Sequence, residues 1–169
     1  MRVTVKKQDI PKDKIVEISS SPKILMVYDG QKYYAFGGIC PHAQWPLNNG
    51  EIKTFSISLG FEPLGKKIKK GDGKTPEGLY YIDKKIKDSS FYLALQISYP
   101  NPWDIRRALN LNTHPGGQIM IHGLPNKYYD KNFHNKLNDW TQGCIAVENK
   151  EIGFLWKNIN VGTPVFIRK

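Results

Sequence analysis

Turn formers punctuate this chain so densely that little room is left for long helices. Gly30, Gly37-Gly38, Asn48-Asn49-Gly50, Gly60, Pro63, Gly65, Gly71-Asp72-Gly73, Pro76 and Gly78 divide its first half. Glycine supplies the positive backbone angles of tight turns, and proline lacks the amide that a helix interior or central strand would use. Between them lie short runs rich in β-branched and aromatic residues, at 23–28, 32–36 and 52–59, which read as strands. In the third run the apolar Ile52, Phe55, Ile57 and Leu59 alternate with polar partners, with one step out of register between Ile52 and Phe55. Asp29-Gly30 predicts a hairpin between the first two runs, and Asn49-Gly50 a second turn of the same kind. Further strands are expected at 78–82, 92–98, 118–122, 144–147 and 164–168. Helices are expected at 104–111, 131–137 and 150–157, the last with Asn149 as its N-cap. The total is a mostly β fold with a few short helices.

With 169 residues, 40% of them hydrophobic, the chain can build one ordinary domain or one domain with a small appendage. It has no apolar run of about eighteen residues, so no membrane span is expected. Met1 to Lys7 is positively charged but has no apolar core behind it, so no secretory signal is visible. The formal net charge is +10, with lysines dense at 66–74 and 84–87. Such charge fits a solvated surface or attraction to an anionic polymer. No nucleic-acid-binding helix or aromatic platform accompanies it, so nucleic acid is not the expected partner. The polar segment 98–115, with Trp103 and Arg106-Arg107, reads equally well as a cleft wall or as an exposed loop.

Two cysteines, Cys40 and Cys144, are too few for a disulfide framework. The chemistry centres on Ile119-Met120-Ile121-His122-Gly123 and, further on, Asp139-Trp140-Thr141-Gln142-Gly143-Cys144-Ile145-Ala146-Val147. An apolar strand delivers His122 to its end, and Gly143 lets backbone and substrate approach beside Cys144. A thiol is mostly protonated at neutral pH, and a neighbouring imidazole makes it a nucleophile. The imidazole needs a partner to fix its tautomer, and a backbone carbonyl near Gly123 could serve. The Thr141 hydroxyl and the amides around Gly143-Cys144 could form an oxyanion hole. Singly, Cys144 or His122 is better read as a core residue; together with their glycines they point to catalysis.

Ile-His-Gly at 121–123 followed by Thr-x-Gly-Cys-Ile at 141–145 resembles the active-site signature of the L,D-transpeptidase (YkuD-type) catalytic domain. Residues 57–67, the Gly-Asp-Gly-Lys-Thr-Pro-Glu-Gly run at 71–78 and the segment 162–167 resemble further parts of that family, in the same order. The resemblance covers about 51–169 and implies a β-sandwich with its nucleophile at a strand end. It implies a cysteine acyltransferase acting on peptidoglycan stem peptides through a Cys144 acyl-enzyme, in the periplasm or cell envelope, without a cofactor or metal. Carried over, Cys144 is the nucleophile, His122 the base, and Gly123 orients His122 through its backbone. Thr141, Gln142 and Gly143 line the substrate and oxyanion site. Gln142 stands where many members have His, and Ala146 where many have Arg or Asn that contacts substrate. Ala146 keeps hydrolysis of the same bonds, or of protein–peptidoglycan links, open beside transfer. A non-catalytic wall-binding module is a further alternative.

Residues 1–50 form a separate expected β segment. Asp9-Ile10-Pro11, Asp29 to Ala35, Cys40-Pro41-His42-Ala43 and Pro46 to Ile52 resemble the first half of a Rieske-type ferredoxin. That family holds its cluster with two Cys and two His. Cys40 and His42 match the first pair, but Ser56-Ile57-Ser58-Leu59-Gly60 stands where the second should be. No [2Fe–2S] cluster is therefore expected in a single chain, and an electron-carrier function is disfavoured. Cys40 and His42 with His114 or His134 would be the remaining candidate metal set.

Overall fold

The computed structural model describes residues 10–12, 14–20, 23–28, 30–31, 33–37, 53–126 and 138–168. Cys40, His42, His134, the Asn49-Gly50 turn and the expected helix at 131–137 lie outside them. The chain divides into two compact units, Met1–Thr54 and Phe55–Lys169.

The first unit holds three antiparallel strands in the order β1 (Ile15–Ser20), β2 (Lys23–Tyr28) and β3 (Tyr33–Gly37). β2 and β3 form the expected hairpin, Tyr28 opposite Tyr33, with Gly30 at a φ of 98° in the turn. β1 is an addition to the sequence expectation. Its register shifts between Glu17 and Ser19, so no clean period of two runs through it.

The second unit is built on a five-stranded sheet. Its strands are β4 (Gly78–Ser89), β5 (Tyr92–Ile97), β6 (Met120–His122), β7 (Ile145–Ala146) and β8 (Pro164–Ile167), in the order β7-β6-β5-β4-β8. All neighbours are antiparallel except β6 and β7. Among the described residues two helices accompany it, α1 (Pro102–Asn110) and α2 (Asn149–Asn158), and α2 packs on β5 and β6. The core joins Tyr80 and Ile82 of β4, Leu95 and Ile97 of β5, Tyr99, Ile119, Val147 and Ile152 of α2. Ile82, Leu95, Ile97 and Ile152 are almost wholly buried, each contributing about 1.5–3 kcal/mol relative to exposure. The fold is thus mostly β, with two short helices among the described residues, as the alternation and the turns predict.

Three elements depart from expectation. Residues 52–59 do not form a strand: the described part makes only isolated bridges, Ser58 with Ala146 and Gly60 with Thr141. Of its amides, Ser58 N–H reaches the Ala146 carbonyl at 2.9 Å and Leu59 N–H reaches Asp139 Oδ1 at 2.6 Å; the next amide, Gly60 N–H, donates to Thr75 Oγ1 at 3.0 Å. β4 runs past Ile82 to Ser89, through a charged stretch whose composition hides it. There Lys85 lies 4.5 Å above the Trp156 ring and donates to the Ile159 carbonyl. α1 starts at Pro102 because Asn101 caps it: Asn101 Oδ1 accepts from the amides of Trp103 and Asp104, and Asp104 accepts from Asn101 N–H. The segment 98–115 is therefore largely a capped helix rather than a loop.

Candidate active site

β6 and β7 bring the two reactive groups together. Their parallel register sets Ile121 beside Ile145 and His122 beside Ala146. Continued one residue back, it sets Cys144 beside Met120, so Cys144 and His122 project from the same face of neighbouring strands. Both line a cavity of about 820 Å³, with Lys67, Lys70, Phe91, His114, Gln118, Met120, Trp140, Thr141 and Gln142 also in its wall.

His122 is 3% exposed. Its Nδ1 lies 2.7 Å from the Gly123 carbonyl oxygen. A carbonyl only accepts, so Nδ1 carries the proton and Nε2 the lone pair. The Phe91 ring lies 4.4 Å away, tilted, and the Trp140 ring meets the imidazole edge-on at 5.8 Å. Burial in this setting pushes the imidazole below its ordinary pKa, with the hydrogen bond to Gly123 working the other way.

Cys144 is a partly buried free thiol that donates to the Gln118 carbonyl at 3.7 Å. Burial raises its pKa, opposed by the Met120 backbone hydrogen bond and by the positive charge of Lys67. Thiol and imidazole are thus both favoured in their neutral forms. Among the described residues no hydrogen bond joins them directly.

The loop before Cys144 is tied internally. Thr141 Oγ1 donates to the Cys144 carbonyl at 2.7 Å and accepts from Gly143 N–H at 3.1 Å. The Thr141 hydroxyl and the Gly143 amide are therefore committed to the loop. Gly143 has a φ of 123°, and a Cβ there would stand 2.6 Å from the Lys74 carbonyl; backbone packing explains this glycine better than substrate approach. Gln142 is exposed at the cavity wall. Ala146 is fully buried and takes no part in lining the cavity.

Lys67 was not singled out from the sequence, where it is one lysine among many. It is 4% exposed and bonds Asp72 Oδ1 at 2.6 Å. Asp72 also accepts from the amides of Ile68, Lys69 and Lys74 at 2.8, 3.0 and 3.2 Å. Burial alone would raise the Asp72 pKa; Lys67 and the three amides outweigh it and hold the carboxyl below its ordinary value. The Asp72 of the Gly-Asp-Gly turn is the signal that points to this lysine.

No group of three or more candidate metal ligands occurs among the described residues. His114 stands at the cavity, its Nδ1 accepting from Gly116 N–H. The segment where a second Rieske pair would fall is engaged elsewhere: Ser58 exchanges two backbone hydrogen bonds with Ala146, and Leu59 accepts from Thr141 N–H. With no Cys or His there, the donor set does not fit a [2Fe–2S] cluster.

Cys144 and a carbonyl-oriented His122 thus share one cavity of a mostly β domain. The family model of the L,D-transpeptidase catalytic domain (YkuD) matches residues 41–167, and the chain belongs to that family. The Rieske [2Fe-2S] domain model matches residues 2–58. Among curated proteins the chain is similar to YafK of Escherichia coli (strain K12), itself only provisionally assigned to the L,D-transpeptidases. The two are 39% identical over 74 residues, which is 43% of this chain and 28% of YafK. Among solved structures it is similar to the helical cell shape determining protein Pgp2 from Campylobacter jejuni, at 23% identity and a TM-score of 0.50, covering 91% of this chain and 43% of that one. The K307A mutant of Pgp2 aligns at 26% identity and a TM-score of 0.53, covering 92% and 48%. The matched portion is thus less than half the length of each of these relatives.

Proposed function

We propose that this chain is a cysteine acyltransferase acting on peptidoglycan stem peptides in the periplasm or cell envelope, with Cys144 as nucleophile and His122 as base. The observation that carries the reading is the shared cavity, in which His122 has Nδ1 committed to Gly123 and its lone pair on Nε2. Rotation of the Cys144 side chain away from Gln118 brings the thiol proton to Nε2. As that proton moves, Sγ bonds the substrate carbonyl carbon and the carbonyl electrons shift onto oxygen. Collapse breaks the C–N bond, and the departing amine takes the proton from His122, leaving a thioester. An amine or water then gives its proton to Nε2, attacks the thioester and expels the Cys144 sulfur, which recovers the proton. Among the described residues nothing accepts from the Cys144 amide, which makes it the available donor to the oxyanion. Among the described residues, every charged or titratable lining residue apart from Cys144 is basic (Lys67, Lys70, His114 and His122), which suits a substrate bearing carboxylates.

Cys144→Ala incubated with purified muropeptides tests the reading by mass spectrometry: the parent converts them and the variant forms no product. Product formation by the variant ends it. A carbapenem separates catalysis from a wall-binding role, since a catalytic Cys144 gains one covalent adduct. The buried Ala146 offers no side chain to a substrate and favours hydrolysis as a second reading. In ¹⁸O-water a hydrolase labels the new carboxylate, whereas a transferase yields an unlabelled cross-linked product. The likeness to Pgp2 extends the proposal to a part in cell shape.

A further inference from the structure

We propose that Asn149 is the positioning residue of this site, fixing the His122 imidazole through the peptide group between Gly123 and Leu124. The inference rests on His122 being the base. That one peptide group has both ends held: its carbonyl, on Gly123, takes the His122 Nδ1 proton at 2.7 Å, and its N–H, on Leu124, donates to Asn149 Oδ1 at 2.8 Å. A peptide is planar, so fixing its N–H fixes the direction of its carbonyl. The run from imidazole to peptide to carboxamide is a line of head-to-tail dipoles, each polarising the next.

Glycine at 123 is what permits the contact. A Cβ there would stand 2.5 Å from Asn149 Oδ1 and 2.9 Å from the Phe91 carbonyl. The preceding amide is held as well, Gly123 N–H reaching the carbonyls of Phe91 and Leu93 at 3.1 and 3.2 Å. Asn149 is also not spent as a helix cap. Glu148 occupies that position, and its amide donates to Glu151 Oε2 at 3.0 Å. The expected cap thus turns out to be the first helical residue, its side chain reaching back to the end of β6.

The test compares the full chain with its Asn149→Leu and Asn149→Asp variants. Imidazole ¹⁵N shifts at alkaline pH read the His122 tautomer, and turnover of muropeptides over a pH series reads its function. The parent holds the Nδ1–H tautomer. Asn149→Leu, with no acceptor, populates both tautomers and loses kcat on the order of tenfold, with KM within about twofold. Asn149→Asp keeps the tautomer and moves the acid limb of the profile to higher pH, because its charge favours imidazolium. A folded Asn149→Leu protein with the parental tautomer and kcat overturns the proposal, and so does an Asn149→Asp limb that does not move. If Asn149→Leu fails to fold, Asn149→Asp decides alone. If the parent has no muropeptide activity, the function reading falls, while the tautomer shift in Asn149→Leu still decides the positioning role.

Discussion

At the scale of residues, the resting site is a neutral pair. Burial raises the Cys144 thiol above its ordinary value of 9.0 and lowers the His122 imidazole below 6.5. Both shifts disfavour a preformed thiolate–imidazolium pair, so in the proposed mechanism the proton leaves sulfur during attack. Alkylation of Cys144 by iodoacetamide in the free protein is expected to keep rising beyond pH 9, and the acid limb of kcat/KM to fall below pH 6.5. A plateau of alkylation at neutral pH would contradict this. The proposed pair, Cys144 and His122, stood out in the sequence because each lies beside a glycine at an edge of an apolar run. Asn149 was misread as a cap, because its partner, the Leu124 amide, is distant in sequence and a backbone group leaves no mark in composition.

At the scale of elements, the turn at 67–74 is held by a buried ion pair. Asp72 gathers Lys67 and three amides, and Lys67 is charged inside the wall beside Cys144. Asp72→Ala leaves those amides without their acceptor and Lys67 without its counter-charge, with only the Lys69 carbonyl at 3.3 Å, for an expected loss on the order of 3 kcal/mol in chemical denaturation. Adding Lys67→Met recovers part of it, since the two residues are directly coupled. A loss below about 1 kcal/mol would show the pair to be dispensable. The hairpin strands and the short central strands were readable from period-two patterning and turn chemistry. The run at 52–59 carried the same alternation, yet Asp139 takes the Leu59 amide and Thr75 the Gly60 amide just beyond it. The far half of β4 carried no apolar alternation at all; its pairing with β5 and the packing of Lys85 on Trp156 hold it.

At the scale of the molecule, two family models overlap on one chain, and their chemical requirements differ. The Rieske match supplies half of a ligand set, so reconstitution with iron and sulfide is expected to leave the chain colourless; a Rieske visible spectrum would refute that. Among the described residues, two groups couple stability to acid. The unfolded chain protonates its histidine below pH 6.5 while folded His122 resists, so stability declines from there. Below pH 3.8 Asp72 adds a second decline, because its folded carboxyl protonates later than its unfolded one.

The crowding around Gly123 reaches further than the site. Phe91 from the β4–β5 turn, Gly123 from the end of β6 and Asn149 from the start of α2 meet at one point. No substitution at one of them has a fixed effect: a side chain at 123 displaces Asn149, and a change at 149 alters what 123 can tolerate. Positions 123 and 149 are therefore coupled, with the Phe91 main chain as the fixed wall against which any change at either must be accommodated.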